Sequence, residues 1–239
     1  MMTTNLDTGI FLDTGKIEEI RKYHNMGIIR GVTTNPTILL KSGVKGGLEG
    51  VKKACQEIAD LIYPLPLSVE LTNNNSYQDM INQAQEFYKW GEDRPDKKNN
   101  LNIKVPIHGP NGELDNLRVI HELETKYNIP VNVTAMMSVQ QCFAAAMAGA
   151  HYVSLFCGRI NDMGYDSVPE IKRLRTLLDM HQLPSKIICA STREVLNISQ
   201  WLEAGGHIVT ATPELIDKML VHPYTKETVK MFLNDAAKL

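Results

Sequence analysis

The chain has 239 residues, of which 43% are hydrophobic and 22% are charged, and its formal net charge is −2. This composition is typical of a globular protein with a core of its own, and the length suits one α/β barrel or two small domains. The small net charge and the lack of a long basic run argue against nucleic acid or an acidic membrane surface as the main partner.

Cysteines and histidines are scattered, with no CxxC pair and no metal-ligand spacing. We therefore expect reduced thiols, no metal and no other cofactor. The first residues, MMTTNLDTG, lack the charged and then apolar segments of a signal peptide, and no apolar run has the length of a membrane span. The sequence predicts a cytoplasmic protein without a membrane partner.

Short apolar runs alternate with longer amphipathic stretches along the whole chain. The apolar runs predict eight strands, at Ile10–Thr14, Ile28–Thr34, Leu67–Leu71, Leu101–Ile107, Val131–Met136, Tyr152–Phe156, Lys186–Ser191 and His207–Thr212. Helical patterns occupy Lys16–Gly27, Pro36 to about Tyr63 around a glycine-rich break at Gly43–Gly50, Ser76–Trp90, Ser138–Ala150, Glu170–His181, Thr192–Gly206 and Pro213–Leu220. A polar loop at Gly91–Asn100 precedes the fourth strand, and a last helical segment covers Lys226–Leu239.

Strict alternation of strands and helices indicates parallel strands, and eight such units indicate closure into a (β/α)₈ TIM barrel of the α/β class. An open doubly wound sheet is the alternative, but no GxGxxG follows any strand. Because no linker divides the sequence, we expect residues 1–239 to form a single domain with an additional C-terminal helix.

The fourth strand carries a lysine in the middle of its polar face. Leu101, Ile103, Val105 and Ile107 share one face, so Lys104 lies on the other, between Asn102 and Pro106. In a barrel one face of each strand packs on the helices and the other fills the interior. The same phase places these other side chains inside: Asp13, Ser68, Glu70, Asn132, Thr134, Tyr152, Ser154, Phe156 and Ser191. It places Cys157, Ile188 and Ala190 outside.

Most of these polar residues lie late in their strands, where barrel enzymes have their active sites. A buried amine is protonated less readily than an exposed one and can attack a carbonyl to form a Schiff base, with nearby carboxylates moving protons. The alternative is that Lys104 forms only a buried ion pair with Asp13 or Glu70.

Five further motifs are GVTTNPT (Gly31–Thr37), IKVP (Ile103–Pro106), VNVT (Val131–Thr134), AGAHYVSLFCGRI (Ala148–Ile160) and ASTR (Ala190–Arg193). Together they resemble the transaldolase family, in the small-subunit branch that also contains the fructose 6-phosphate aldolases. Their order and spacing match from Asp13 to near the C-terminus.

The resemblance implies a class I mechanism with sugar phosphates as substrates. Lys104 would form the Schiff base, Asp13 would be the general acid/base, and Glu70 and Thr134 would hold the catalytic water. The implied binding residues are Asn35, Asn132 and Ser154 for the dihydroxyacetone unit, and Arg159 and Arg193 for the phosphate, with Ser191 assisting.

Some of these residues have a competing structural interpretation. Asn35 could be only the turn residue before Pro36, and the two arginines could be solvated surface charges. Thr33 and Thr34 are assigned structural roles.

Glu70 and Phe156 favour a transaldolase, because the aldolase members carry glutamine and tyrosine at these places. The resemblance suggests fructose 6-phosphate and sedoheptulose 7-phosphate as donors, with erythrose 4-phosphate and glyceraldehyde 3-phosphate as acceptors. A fructose 6-phosphate aldolase that releases free dihydroxyacetone, or a non-catalytic sugar-phosphate-binding barrel, remains as an alternative. Relatives form rings of five, often doubled, so a homo-oligomer (pentamer or decamer) is expected. An apolar stripe of Val229, Phe232 and Ala236 packs either on a neighbouring subunit or on its own barrel.

Overall fold

A computed structural model describes residues 8–92, 94 and 97–239 of the chain. The first seven residues, which include most of the segment examined for a signal peptide, lie outside the described residues. So do three residues of the predicted Gly91–Asn100 loop, at positions 93, 95 and 96. Nowhere in the described ranges is a helix both long enough and apolar enough to cross a membrane.

Eight parallel strands close into a barrel in chain order, with the last strand pairing with the first. The strands are β1 Gly9–Asp13, β2 Gly31–Thr33, β3 Leu67–Glu70, β4 Leu101–Pro106, β5 Val131–Met136, β6 Tyr152–Leu155, β7 Lys186–Cys189 and β8 Ile208–Ala211. The helices are α1 Ile17–Asn25, α2 Pro36–Lys41, α3 Gly47–Ile62, α4 Tyr77–Glu92, α5 Asp115–Thr125, α6 Val139–Met147, α7 Cys157–Asp162, α8 Ser167–Met180, α9 Val195–Glu203, α10 Pro213–Leu220 and α11 Pro223–Ala236. The predicted (β/α)₈ architecture is confirmed.

Three elements differ from the prediction. Helix α5, Asp115–Thr125, lies in a stretch after the fourth strand to which no helical pattern was assigned. The six-residue helix α7 occupies a stretch predicted as a loop, because one and a half turns are too short to show a helical period. The last helix, α11, begins at Pro223 rather than at Lys226, since the His222 ring accepts a hydrogen bond from the Tyr224 amide at 3.2 Å. Proline then occupies the first helical turn, where its missing N–H costs nothing.

The barrel separates two apolar regions. The larger one lies between strands and helices and includes Leu12, Val69 and Trp201. The smaller one lies inside the barrel and consists of Phe11, Tyr152, Ile188, Ala190 and Ile208, with Phe156 packed against it. Cys157 lies in the outer region, as its phase predicted. On β1, β6 and β8 the polar residues Asp13, Ser154 and Thr210 follow Phe11, Tyr152 and Ile208 by two residues, toward the carboxyl ends of the strands.

The predicted phase of β7 is wrong. Ile188 pairs in register with the inward-facing Ser154, and both Ile188 and Ala190 belong to the inner cluster. Ile187 and Cys189 pack outward instead. Because β7 is apolar on both faces, alternation alone does not show its phase, and counting back from Ser191 fails since that residue has a left-handed backbone with φ of 64°.

A half-buried carboxylate connects two neighbouring strands at the opposite, amino-terminal end of the barrel. Glu124 Oε1, from α5, accepts the backbone N–H of Val131 at 2.6 Å and that of His151 at 2.8 Å. Burial raises the pKa of Glu124 to about 7 from an ordinary value of 4.5, against the lowering effect of these two hydrogen bonds.

The Glu124 pKa predicts a pH-dependent stability. Between pH 4.5 and about 7 the folded chain retains a proton on Glu124 that the unfolded chain has lost, so this group's contribution to the free energy of unfolding falls as pH rises. Glu124→Gln keeps the uncharged form at every pH. We expect the wild type to lose stability relative to this variant across that window, by at most about 3 kcal/mol. Thermal unfolding of both proteins from pH 4.5 to 8 measures it, and parallel curves would contradict the assignment.

Candidate active site

Strand register brings the predicted inward residues to one level of the barrel. Asp13 pairs in register with Thr33, and Glu70 pairs with Lys104. Lys104 also pairs with Asn132 across the next strand boundary. Because in-register residues of parallel strands point to the same face, these side chains meet inside the barrel near its carboxyl end.

Lys104 lies between a carbonyl and a carboxylate. Its Nζ donates a hydrogen bond to the Thr34 carbonyl oxygen at 2.9 Å and lies 3.0 Å from Glu70 Oε2. The residue is only 6% exposed. The ion pair with Glu70 that the sequence left open is therefore present, and the described residues offer Nζ no third polar partner.

Asp13 is held from one side by a threonine. The Thr33 hydroxyl donates to Asp13 Oδ1 at 2.6 Å, and the Thr33 oxygen lies 2.5 Å from the Thr210 hydroxyl oxygen. Burial raises the pKa of the Asp13 carboxyl. The hydrogen bond from Thr33 and the positive charge of Lys104 oppose this rise, while the negative charge of Glu70 adds to it.

A second polar chain crosses the interior at β3, β5 and β6. The Ser154 hydroxyl donates to Asn132 Oδ1 at 2.7 Å, and Asn132 Nδ2 donates to the Ser68 hydroxyl at 3.0 Å. This chain fixes which way the Asn132 amide faces. Thr134 is buried beside it, and its hydroxyl makes no hydrogen bond to the described residues.

Asn35 begins helix α2. Its side-chain Oδ1 accepts the Ile38 backbone N–H at 2.8 Å, so the residue is the N-cap directly before Pro36. The competing structural role expected from the sequence is thus present. This N-cap hydrogen bond uses the side-chain oxygen of Asn35. The side-chain nitrogen makes no hydrogen bond to the described residues.

Arg159 and Arg193 line a separate pocket of about 910 Å³ beside β6 and β7. Asp162 already pairs with Arg193, at 2.8 Å from Nη2 and 3.2 Å from Nε. Arg159 has no carboxylate partner in the described part of the chain, and its guanidinium lies 5.3 Å from the centre of the Phe156 ring. Lys104 does not line this pocket. Phe156 lies between this pocket and the barrel interior, since its ring is near Arg159 and also packs on the inner cluster.

Gly158 allows the start of α7 to approach the segment that follows β7. A Cβ added there would lie 1.7 Å from the backbone oxygen of Ser191 and 3.2 Å from Arg193 Cγ. The start of α7 therefore packs on the chain just after β7, where Ser191 takes its left-handed conformation. This contact, rather than an inward strand phase, places Ser191 beside the start of α7.

The sequence did not predict the roles of three threonines in the site. Thr33 and Thr34 were assigned structural roles, yet Thr33 binds Asp13 and the Thr34 carbonyl binds Lys104. Thr210 was not placed, although its register with Phe11 puts it on the inner face. Applying the two-residue alternation to β2 and β8 would have found both hydroxyls. In the described ranges no three histidine, cysteine or acidic side chains converge as they would around a metal ion.

A closed parallel barrel with a buried lysine and two carboxylates at its carboxyl end defines a (β/α)₈-barrel enzyme. The family profile described as Transaldolase/Fructose-6-phosphate aldolase matches residues 10–239. The chain therefore belongs to the transaldolase/fructose-6-phosphate aldolase family.

Relatives from distant organisms agree with this membership. A protein of Carboxydothermus hydrogenoformans named "Probable transaldolase" is 37% identical over 226 residues, which cover 95% of this chain and 96% of that protein. The "Probable transaldolase 2" of Bacillus cereus is 35% identical, covering 95% and 97%. The "Probable transaldolase" of Nitrosopumilus maritimus is 33% identical, covering 96% and 95%.

One solved structure shows the fold alone. A Pediococcus acidilactici protein, provisionally named a lactate oxidase, superposes with a TM-score of 0.56 at 14% identity. The match covers 88% of this chain and spans 64% of the length of that protein.

Gly158→Ala tests the packing between α7 and β7. Because the added methyl meets a backbone oxygen, the chain must shift, and we expect destabilisation by roughly 1–3 kcal/mol. Gly164→Ala is the control, since no atom lies within 4 Å of its added Cβ and only its positive φ carries a cost. Denaturant unfolding compares the two, and equal losses of stability would contradict the close contact.

Proposed function

We propose that the chain is a transaldolase that moves a dihydroxyacetone unit between sugar phosphates through a Schiff base on Lys104. The overall reaction converts sedoheptulose 7-phosphate and glyceraldehyde 3-phosphate into erythrose 4-phosphate and fructose 6-phosphate. The observation that carries this proposal is the setting of Lys104, with its amine 2.9 Å from the Thr34 carbonyl and 3.0 Å from Glu70, in a member of this family.

The surroundings of Lys104 suit a nucleophilic amine. When the ketose binds, the Lys104 ammonium is proposed to pass one proton to the Glu70 carboxylate, 3.0 Å away, and the neutral amine keeps its hydrogen bond to the Thr34 carbonyl. The lone pair is left for the ketose carbonyl carbon. The new C–N bond then replaces the C–O bond, and the carbonyl oxygen leaves as water. Glu70 and Thr134 are proposed to hold that water and to pass its protons.

Asp13 is proposed to act on the substrate hydroxyl next to the bond that breaks. It takes the hydroxyl proton as that carbon becomes an aldehyde, and the bonding electrons move into the iminium on Lys104. The acceptor aldehyde reverses these movements, with Asp13 returning the proton. Hydrolysis of the C–N bond then releases the new ketose phosphate.

The binding roles follow the two polar regions. Asn35, Asn132 and Ser154 are proposed to bind hydroxyls of the dihydroxyacetone unit. Arg159 and Arg193, with Ser191, are proposed to bind the phosphate, because guanidinium groups match its oxygens with paired donors. Arg193 then exchanges Asp162 for the ligand, whereas Arg159 has no carboxylate to give up among the described residues.

We propose that the dihydroxyacetone unit is transferred to an acceptor and not released, because Glu70 and Phe156 replace the glutamine and tyrosine of the aldolase members. A phenol can position a proton-transferring water and a phenylalanine ring cannot. We also propose that residues 1–239 form one domain and that the protein is cytoplasmic.

The reaction is tested by glyceraldehyde 3-phosphate release from fructose 6-phosphate, with and without erythrose 4-phosphate. We expect release to require the acceptor. Equal release without it would identify a free aldolase, and no release in either assay would remove the proposed substrates.

Lys104→Met tests the Schiff base. It keeps the length of the side chain and removes the amine, so we expect turnover to fall by about 10⁴-fold or more. Borohydride treatment with fructose 6-phosphate should attach a reduced dihydroxyacetone unit to the wild type and none to the variant, as measured by mass spectrometry. Lys22→Met is the matched control, because Lys22 pairs with Asp217 at 2.7 Å on the outside of the barrel. Activity surviving in the Lys104 variant would exclude the mechanism.

We further propose a homo-oligomer, a pentamer or a decamer of two rings. Helix α11 buries none of its residues, and Phe232 and Leu233 remain 61% and 66% exposed. Its apolar stripe therefore does not pack on its own barrel, which favours the neighbouring subunit of the two possibilities that the sequence allowed.

Light scattering should give five or ten times the chain mass of 26.8 kDa. Phe232→Asp places a charge on the stripe and should reduce the mass toward the monomer, whereas Lys230→Asp, at another exposed position of the same helix, should not. A monomeric wild type would contradict the proposal.

A further inference from the structure

Two threonine hydroxyls form a chain that ends on Asp13. Thr33, from β2, donates to Asp13 Oδ1 at 2.6 Å, and its oxygen lies 2.5 Å from that of Thr210, from β8. Both threonines are buried, with 3% and 5% of their surfaces exposed. The two strands flank β1 on either side, so the chain of hydroxyls links Asp13 to both neighbouring strands.

The direction of this chain depends on whether Asp13 carries a proton on Oδ1, whereas a proton on Oδ2 leaves the direction unchanged. A threonine hydroxyl has a single proton to donate. When Asp13 is ionised, Thr33 gives its proton to Asp13, and Thr210 gives its own to Thr33. When Asp13 is protonated at Oδ1, the chain must reverse, and the Thr210 proton then needs another acceptor. No other hydrogen bond of the Thr210 hydroxyl is formed within the described residues, so the reversed chain leaves a buried donor unpaired.

We propose that Thr33 and Thr210 are positioning residues for the reaction, whose directed hydroxyl chain keeps Asp13 ionised and leaves its Oδ2 free to exchange a proton with substrate. Asp13 Oδ2 has no hydrogen-bond partner in the described part of the chain, which fits that division between the two oxygens. The role of Asp13 rests on the proposed transaldolase function, whereas the effect of the chain on its ionisation does not.

The other charged groups that face Asp13 do not replace the chain. Lys104, from β4, favours the ionised carboxylate, and Glu70, from β3, disfavours it. Because Glu70 is itself 3.0 Å from the lysine, the two charges largely offset each other at Asp13. Burial raises the pKa of Asp13. The threonine hydroxyl is the direct hydrogen-bond donor that opposes this effect.

The ionisation of Asp13 is measurable without any turnover. In protein labelled with ¹³C at the aspartate carboxyl carbon, the Asp13 resonance is assigned by its loss in Asp13→Asn, and its titration is followed by NMR. Thr33→Val removes the donor at nearly constant shape, and we expect the pKa of Asp13 to rise by roughly one unit. Thr33→Ser keeps a hydroxyl and should restore the wild-type titration. Thr210→Val should cause a smaller rise, because it removes only the second donor.

Two further variants control for a failure of the Thr33→Val variant to fold and for an effect on Asp13 that does not come from the lost hydrogen bond. Thr33→Val with Thr210→Val leaves no unpaired hydroxyl, so it should fold even if the single valine variant does not, and it should show the full rise. Thr14→Val is the matched control, since that buried hydroxyl donates to Glu19 at 2.8 Å instead of to Asp13. An Asp13 titration unchanged in the double variant, or a serine variant that titrates like the valine variant, would overturn the proposal.

The same variants separate this inference from the proposed function. If Asp13 is the base, the acid limb of kcat/KM for fructose 6-phosphate cleavage should move to higher pH by the shift seen in the NMR titration. A kcat/KM lowered by one factor at every pH would instead indicate a purely structural threonine and overturn the positioning role. If the Asp13 resonance shifts as expected but no sugar phosphate is turned over, the effect of the two hydroxyls on Asp13 is confirmed and the proposed function is wrong.

Discussion

The lysine inside the closed barrel is the constraint around which the rest of the site is arranged. Removing a charged group from water costs several kcal/mol unless it is paired and hydrogen-bonded. Lys104 meets this requirement with the Thr34 carbonyl, directly after β2, and one carboxylate from β3. Each of these partners is itself fixed by the barrel, because register sets the heights of the strands. The position of the amine is thus determined by strand pairing and not by a flexible loop.

The barrel interior is divided to make this pairing possible. Its lower part is filled by Phe11, Tyr152 and Ile208, with the first two rings in an edge-on contact at 6.0 Å. This apolar floor excludes water from below the polar level, which strengthens every electrostatic contact above it. The upper part holds two hydroxyl-containing chains, one ending on Asp13 and one fixing Asn132. The apolar lower part and the hydrogen-bonded chains of the upper part therefore act together to fix the positions of the polar side chains.

Much of this arrangement could be predicted from the sequence, and the parts that could not share a physical cause. Strict alternation in β4 and β5 showed which side chains enter the barrel, because each strand has one polar and one apolar face. In β7 both faces are apolar, so its phase was undetermined and the inward positions of Ile188 and Ala190 were missed. The pairing of Arg193 with Asp162 depends on how a short helix meets a strand end. The contribution of Thr34 is a backbone carbonyl, which no side-chain pattern reveals.

The charges around the arginine pocket have a consequence for how an anion would reach it. Three arginines, at 159, 173 and 193, share its wall with three carboxylates, at 162, 166 and 170. Their formal charges cancel, so the entrance produces little long-range field to steer an approaching anion. If the pocket holds the substrate phosphate as proposed, selection there would depend on contact, when a ligand offers Arg193 a better-matched set of oxygens than Asp162 does. The entrance would then select the geometry of the anionic group more than its charge alone.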